Sequence, residues 1–357
     1  MRFIKGFTDR VLLIICVTVV VFTACTDDDE KTLGVWQRRS DLDGPVRSGA
    51  AAFVIGNKGY VCGGYRSNVQ PTRLTDLWVY DITNNYWEQL PSMPSDENDP
   101  EGTAAARNGA VGFSIGTKGY ITTGYDADNR TYLNDTWEFD TDTETWRRMD
   151  DFPGEPRVNA VGFSIGNYAY VGTGSNDDGQ YKNFYRFDPT AASGSQWQIV
   201  TGFGGLKREG ATAFVIDDAA YICCGINDGS GHATDLWRFT PSTGEWTQLR
   251  DIIDSSSDDY DDDYTSITRA YAVSFVIDGK AYLVTGDVNG SYRYNYWIYD
   301  PVTDLWEGED LTPFEGTARI NAVSFSTGKR GFVLTGSAGT SRLDDVWELD
   351  PYTYEED

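Results

Sequence analysis

Arg47-Ser-Gly-Ala-Ala-Ala-Phe53-Val-Ile is followed by Lys58-Gly-Tyr60-Val-Cys-Gly63-Gly64. After a polar loop come Asp76-Leu-Trp78-Val-Tyr80-Asp81 and Tyr86-Trp87-Glu-Gln-Leu90-Pro91. These four runs are short, rich in β-branched and aromatic residues, and separated by Gly- and Asn-containing turns, so they read as four strands. The pattern returns six times. Its leading arginines, Arg47, Arg107, Arg157, Arg208, Arg269 and Arg319, are spaced by 60, 50, 51, 61 and 50 residues. A period near 50 built from short strands is that of a propeller blade.

Each first strand is small and apolar on both faces, as in Ala110-Val-Gly-Phe113 and Ala160-Val-Gly-Phe163. That suits an inner strand near a crowded axis, where small side chains let backbones approach. The 11 tryptophans count the blades. Trp78, Trp137, Trp237, Trp297 and Trp347 fall in third strands, with Tyr185 in the remaining one. Trp87, Trp146, Trp197, Trp246 and Trp306 fall in fourth strands. Trp36 is left over, in a lone strand near Leu33, and the sixth unit ends before its own fourth-strand Trp. The expectation is an all-β, six-bladed propeller over residues 33–357, its last blade closed by the N-terminal strand. Such closure removes an exposed sheet edge.

A basic residue before an apolar strand, Gly-Gly, an aromatic–Asp pair and a Trp before Leu-Pro resemble the kelch repeat, over about residues 33–357. Only the first unit keeps both glycines; the others have Thr or Cys in the first place. The resemblance implies recognition at the mouth of the central channel. The fold is also similar to the central domain of galactose oxidase. That family's copper site uses two histidines and a crosslinked Cys–Tyr pair, and one histidine, His232, cannot supply it. No zinc spacing, phosphate loop or dinucleotide motif occurs, and no cofactor or metal is expected. His232 reads as a solvated loop residue.

The N-terminus carries a second message. Arg2, Lys5 and Arg10 precede the apolar run Val11–Phe22, and Thr23-Ala24-Cys25 follows. This is the layout of a secretory signal over residues 1–24. Phe22-Thr-Ala-Cys25 resembles a bacterial lipoprotein lipobox, which implies lipidation at Cys25. The acidic run Thr26-Asp-Asp-Asp-Glu30, within a tether over 25–32, resembles the surface-export signal of Bacteroidota lipoproteins. An outer-membrane lipoprotein on the cell surface or periplasmic face is expected. Removing the signal leaves a charge of about −28, against −26 for the whole chain. That disfavours nucleic acid and anionic lipid surfaces and favours a soluble, monomeric propeller.

The kelch resemblance assigns a binding role to the six strand-entry arginines, with Tyr65 and Tyr125 as loop partners, for a glycan or protein ligand of acidic character. Two arginines about 10 Å apart repel by roughly 1.7 kcal/mol at an effective dielectric of 20. The ring therefore needs anions, which a ligand or neighbouring Asp and Glu could supply. An alternative function is a sugar-modifying enzyme related to sialic acid mutarotase, with Glu209 as its acid–base group. Two acidic inserts, Ser95–Glu101 and Asp254–Asp263, match no calcium loop. Cys62, Cys223 and Cys224 read as small buried residues.

Overall fold

The computed structural model describes residues 31–355, apart from 69, 71, 95–102 and 230. The signal, Cys25, most of the tether and the first acidic insert lie outside the described residues. Six four-stranded antiparallel sheets form six blades. The first comprises Ala51–Ile55, Lys58–Tyr65, Arg73–Asp81 and Tyr86–Leu90, running from the inside outwards. The sixth takes Val323–Ser326, Gly331–Leu334 and Val346–Tyr354 from the C-terminus and Leu33–Arg38 from the N-terminus. Trp36 lies opposite Leu349 in that antiparallel closure. Among the described residues there is no α-helix, only a 3-10 turn at Asp259–Asp261.

Six apolar clusters fill the six spaces between blades. In each of the first five blades the Phe of the inner strand stacks on the Tyr of the second, as Phe53 does on Tyr60 with ring centroids 4.7 Å apart. The same Phe leans onto the next blade. A Cβ on Gly119 would sit 2.1 Å from the Phe53 ring, so only glycine fits there. Trp36 joins the fifth-to-sixth cluster edge-on to Phe314, Tyr296 and Phe275 at 4.8, 5.9 and 6.4 Å. The inner strands surround a channel of about 230 Å³ lined by Ala, Val, Gly, Thr and Ser.

The six strand-entry arginines correct the sequence expectation. All are 0–1% exposed, inside the blades rather than at the mouth. Each Nη1 donates to the carbonyl 16 residues ahead, at Gly63, Thr123, Thr173, Cys224, Thr285 or Thr335, over 2.9–3.3 Å. Each Nε donates to the carbonyl two residues back. In four blades the fork ends on an aspartate: Asp76, Asp135, Asp235 or Asp345. The third-strand tryptophan two residues on donates its indole N–H to that aspartate, at 2.6–2.8 Å. Blades three and five have Asn183 and Asn295 in that place. Arg157 then reaches the half-exposed Glu155 at 3.3 Å, and Arg269 is held by carbonyls and the Asn295 amide alone. In five of the six blades the compensating anion thus comes from the protein itself, and in blade five carbonyl oxygens and an amide take its place.

Burial alone would raise the Asp135 carboxyl, but Arg107 and the Trp137 indole outweigh it and hold it below the usual range. Asp345 beside Arg319 behaves alike. A depressed carboxylate pKa contributes stability above its unfolded value, about 3.9, and loses it as pH falls through the folded value. Asp135→Ala strands a buried guanidinium and should cost about 3–5 kcal/mol by denaturant titration. Asp135→Asn, which reproduces blades three and five, should cost less, and its stability should fall less steeply from about pH 4 to 2. Trp36→Ala should cost roughly 3–5 kcal/mol, and deleting residues 31–38 should expose the nine-residue strand Val346–Tyr354 and yield aggregates in size-exclusion chromatography.

Candidate functional site at the channel mouth

Above the arginines the chain builds a floor. The residue two places after each arginine has a left-handed backbone: Gly49, Gly109, Asn159, Gly210, Tyr271 and Asn321, with φ of 53–64°. Gly109 donates its backbone N–H to Gly49, Asn159 to Gly109, Gly210 to Asn159, Tyr271 to Gly210, Asn321 to Tyr271 and Gly49 to Asn321. These bonds, 2.8–3.3 Å long, close a ring at the strand-entry end of the channel. A second ring lies beside it. The turn glycine of each second strand, such as Gly64 or Gly124, donates its N–H to the next blade's arginine carbonyl at 2.8–2.9 Å. Glycine and asparagine tolerate this conformation; for tyrosine it is strained.

The mouth rises from that floor. The residue after each arginine bridges the first residue of a short hairpin in the loop between second and third strands. The pairs are Ser48–Tyr65, Asn108–Tyr125, Val158–Ser175, Glu209–Ile226, Ala270–Asp287 and Ile320–Ser337. The returning strands of the hairpins bring Arg73, Tyr132, Gln180, His232, Tyr292 and Arg342 opposite the same residues. Tyr65 and Tyr125 therefore stand at the mouth, as the sequence suggested, while the arginines named with them lie a layer below. His232 is a half-buried member of the mouth rather than a solvated loop residue, and its Nε2 is buried without a partner.

Two different arginines occupy the rim. The Arg73 and Arg342 guanidinium carbons lie 4.2 and 4.4 Å from the centroid of the Tyr65 ring. One tyrosine ring thus engages both cations. Arg73 Nε donates to Asn108 Oδ1, and the Tyr65 hydroxyl bonds Asn68. Among the described residues neither Arg73 nor Arg342 pairs with a carboxylate, and Arg342 Nε is buried with no partner. Burial lowers the Arg73 pKa, against the opposing pull of Tyr65, Tyr125 and the Asp128 carboxylate.

Glu209 stands on blade four, across the channel from Arg73 on blade one. Its Oε2 accepts from Asn159 Nδ2 and Ser175 Oγ, both at 2.8 Å. The Tyr271 hydroxyl faces the same carboxylate, and burial first, then Glu209, pushes its pKa up. Tyr132 donates to Asp177 at 2.8 Å, and its hydroxyl is pushed up to about 12 by burial and that neighbour. Elsewhere, Asp261 in the second acidic insert is fully buried, but it accepts from Ser255 N, Ser256 N and Ser256 Oγ, so it fastens its own loop. Cys62, Cys223 and Cys224 are free and buried.

Sequence comparison agrees with this architecture. Residues 49–262, more than half of the chain, match the family described as KLHDC2/KLHL20/DRC7 Kelch-repeats domain. The chain is 35% identical over 116 residues to human Kelch domain-containing protein 1, covering 31% of this chain and 27% of that protein. It is 24% identical over 247 residues to the N-(sulfonatooxy)prop-2-enimidothioate sulfolyase of Thlaspi arvense, covering 62% and 67%. The chain thus spans about a quarter of the first relative and two thirds of the second. With six four-stranded blades and a match over most of the first four, the chain belongs to the KLHDC2/KLHL20/DRC7 Kelch-repeats domain family.

Proposed function

We propose that this kelch propeller is a membrane-anchored binding module that takes an acidic glycan or protein ligand at its mouth, through Arg73, Arg342, Tyr65 and Tyr125. The observation that carries this reading is the pair of rim guanidinium groups with no carboxylate partner among the described residues. A charge-assisted bond to a ligand carboxylate, sulfate or phosphate contributes about 1.5–3 kcal/mol and would use donors the protein leaves open. The name of the Thlaspi arvense relative describes a substrate with a sulfonatooxy group, an anion of the same kind. The strand-entry arginines act behind this surface by holding the backbone that presents it.

The alternative, a sugar-modifying enzyme related to sialic acid mutarotase, would rest on Glu209. The donors Asn159 and Ser175 already fix that carboxylate as an acceptor, which favours binding over proton exchange. Sugar anomerisation followed by NMR should show no acceleration by the protein. Membrane attachment rests on Cys25: Cys25→Ser should move the protein from the membrane fraction to the soluble one and abolish metabolic labelling with an alkynyl fatty acid. The binding surface is tested by screening the protein against arrays of acidic glycans and acidic peptides. Arg73→Gln with Arg342→Gln should weaken the best hit at least about tenfold, with the melting temperature little changed. Unaltered affinity in that double variant would remove the rim from the binding site.

A further inference from the structure

The mouth is six-fold symmetric in its backbone but not in its charge. Four positions per blade form its frame: the two residues after the arginine and the paired hairpin residues. Only four of these positions carry a fixed charge. Arg73 and Arg342 belong to blades one and six; Glu209 and Asp287 belong to blades four and five. In a closed ring of six, blade one faces blade four across the channel. The frame therefore has a cationic side, blades six and one, and an anionic side, blades four and five; Arg73 faces Glu209 across the channel, Arg342 and Asp287 lie on adjacent blades, and among the described residues none of the four forms an ion pair with another.

Each wall also keeps an unused hydrogen-bonding atom. On the cationic side it is Arg342 Nε. On the anionic side Asp287 Oδ1 is buried and without a partner, as are His232 Nε2 and Arg293 Nε of the same two blades, while Asp287 Oδ2 accepts from Gly290 N at 3.0 Å. A buried acceptor left without a donor costs free energy that a ligand donor would recover. On the anionic side, its ring against Gly210, stands Tyr271, in the strained left-handed conformation and turned to Glu209. Strain of this kind persists where the surroundings over-determine it, and such residues cluster at binding sites.

We propose that the ligand is bipolar: it carries an anionic group for Arg73 and Arg342 and a cationic group, an ammonium or guanidinium, for Glu209 and Asp287. This rests on the mouth being the binding site and specifies what binds there. A purely anionic ligand would leave the Asp287 oxygen without a donor and set its charge against Glu209. A purely cationic one would meet Arg73 and Arg342. A bipolar ligand lying across the floor satisfies both walls, and opposed fields fix its direction as well as its affinity.

The test uses ω-amino acids from 4-aminobutanoate to 8-aminooctanoate, each free and N-acetylated, with binding to the full chain followed by saturation-transfer NMR. Acetylation removes the ammonium and keeps the carboxylate. The expected result is one optimal chain length, at which the free amine binds roughly tenfold tighter than its acetylated form. Glu209→Gln and Asp287→Asn, made separately, should each shrink that preference by weakening the free amine, with the acetylated form binding as well as before or better. Arg73→Gln with Arg342→Gln should weaken both forms. If free and acetylated forms bind equally and both are weakened by the arginine variants, the bipolar assignment is overturned and the anion-binding mouth stands. If no member binds, or the arginine variants change nothing, the assignment falls together with the mouth reading. Because Glu209 also accepts from Asn159 and Ser175, Asp287→Asn is the variant that decides the matter should Glu209→Gln fail to fold.

Discussion

The buried guanidinium at each strand entry is the interaction on which the propeller depends. Its five donors reach the carbonyl two residues back, the left-handed end of the second strand and the start of the third, so one side chain ties three strands of a blade together. Its own carbonyl accepts the turn glycine of the preceding blade. A single residue thus fixes both the interior of a blade and its junction to a neighbour. In blades one, two, four and six an aspartate closes the fork and receives the tryptophan indole as well. Removing a cation from water is tolerable only when its geometry and hydrogen bonds are complete, which explains why the fork, carbonyls and indole recur as a unit.

That unit also explains the departure from Gly-Gly. Thr123, Thr173, Cys224, Thr285 and Thr335 take φ of 57–64°, where side chains with a Cβ are disfavoured. The arginine holds the carbonyl of each in place, so the conformation persists without glycine. The following glycine is different. A Cβ on Gly174 would lie 2.6 Å from the Val158 carbonyl oxygen, so it cannot be replaced at the mouth.

Rigid backbone rings below and variable side chains above divide the labour. The two rings make six equivalent platforms, and the chain varies what stands on them: tyrosines and arginines on blades six, one and two, carboxylates on blades four and five. The channel beneath is lined by small side chains of the six inner strands. The N-terminal strand completes the sixth blade, and the bonds from Gly49 to Asn321 and from Gly336 to Arg47 join that blade to the first, so every platform bonds to both neighbours.

The sequence by itself determined the number of blades, their strand order and the closing strand, because each rests on local patterns: strand alternation, turn glycines and the tryptophan count that left Trp36 over. It also placed Tyr65 and Tyr125 in the mouth loops. It carried the clue to the arginines without revealing it, since Asp76-Leu-Trp78, Asp135-Thr-Trp137, Asp235-Leu-Trp237 and Asp345-Val-Trp347 each hold the counter-ion, 26 to 29 residues from its arginine. Only the tertiary structure decided that the pairs meet and that the arginines face inward. A repeat fixes which positions are equivalent. Which way a long side chain turns depends on partners brought together by strand pairing, and the same holds for Arg73 and Arg342, which meet at one tyrosine although most of the chain separates them.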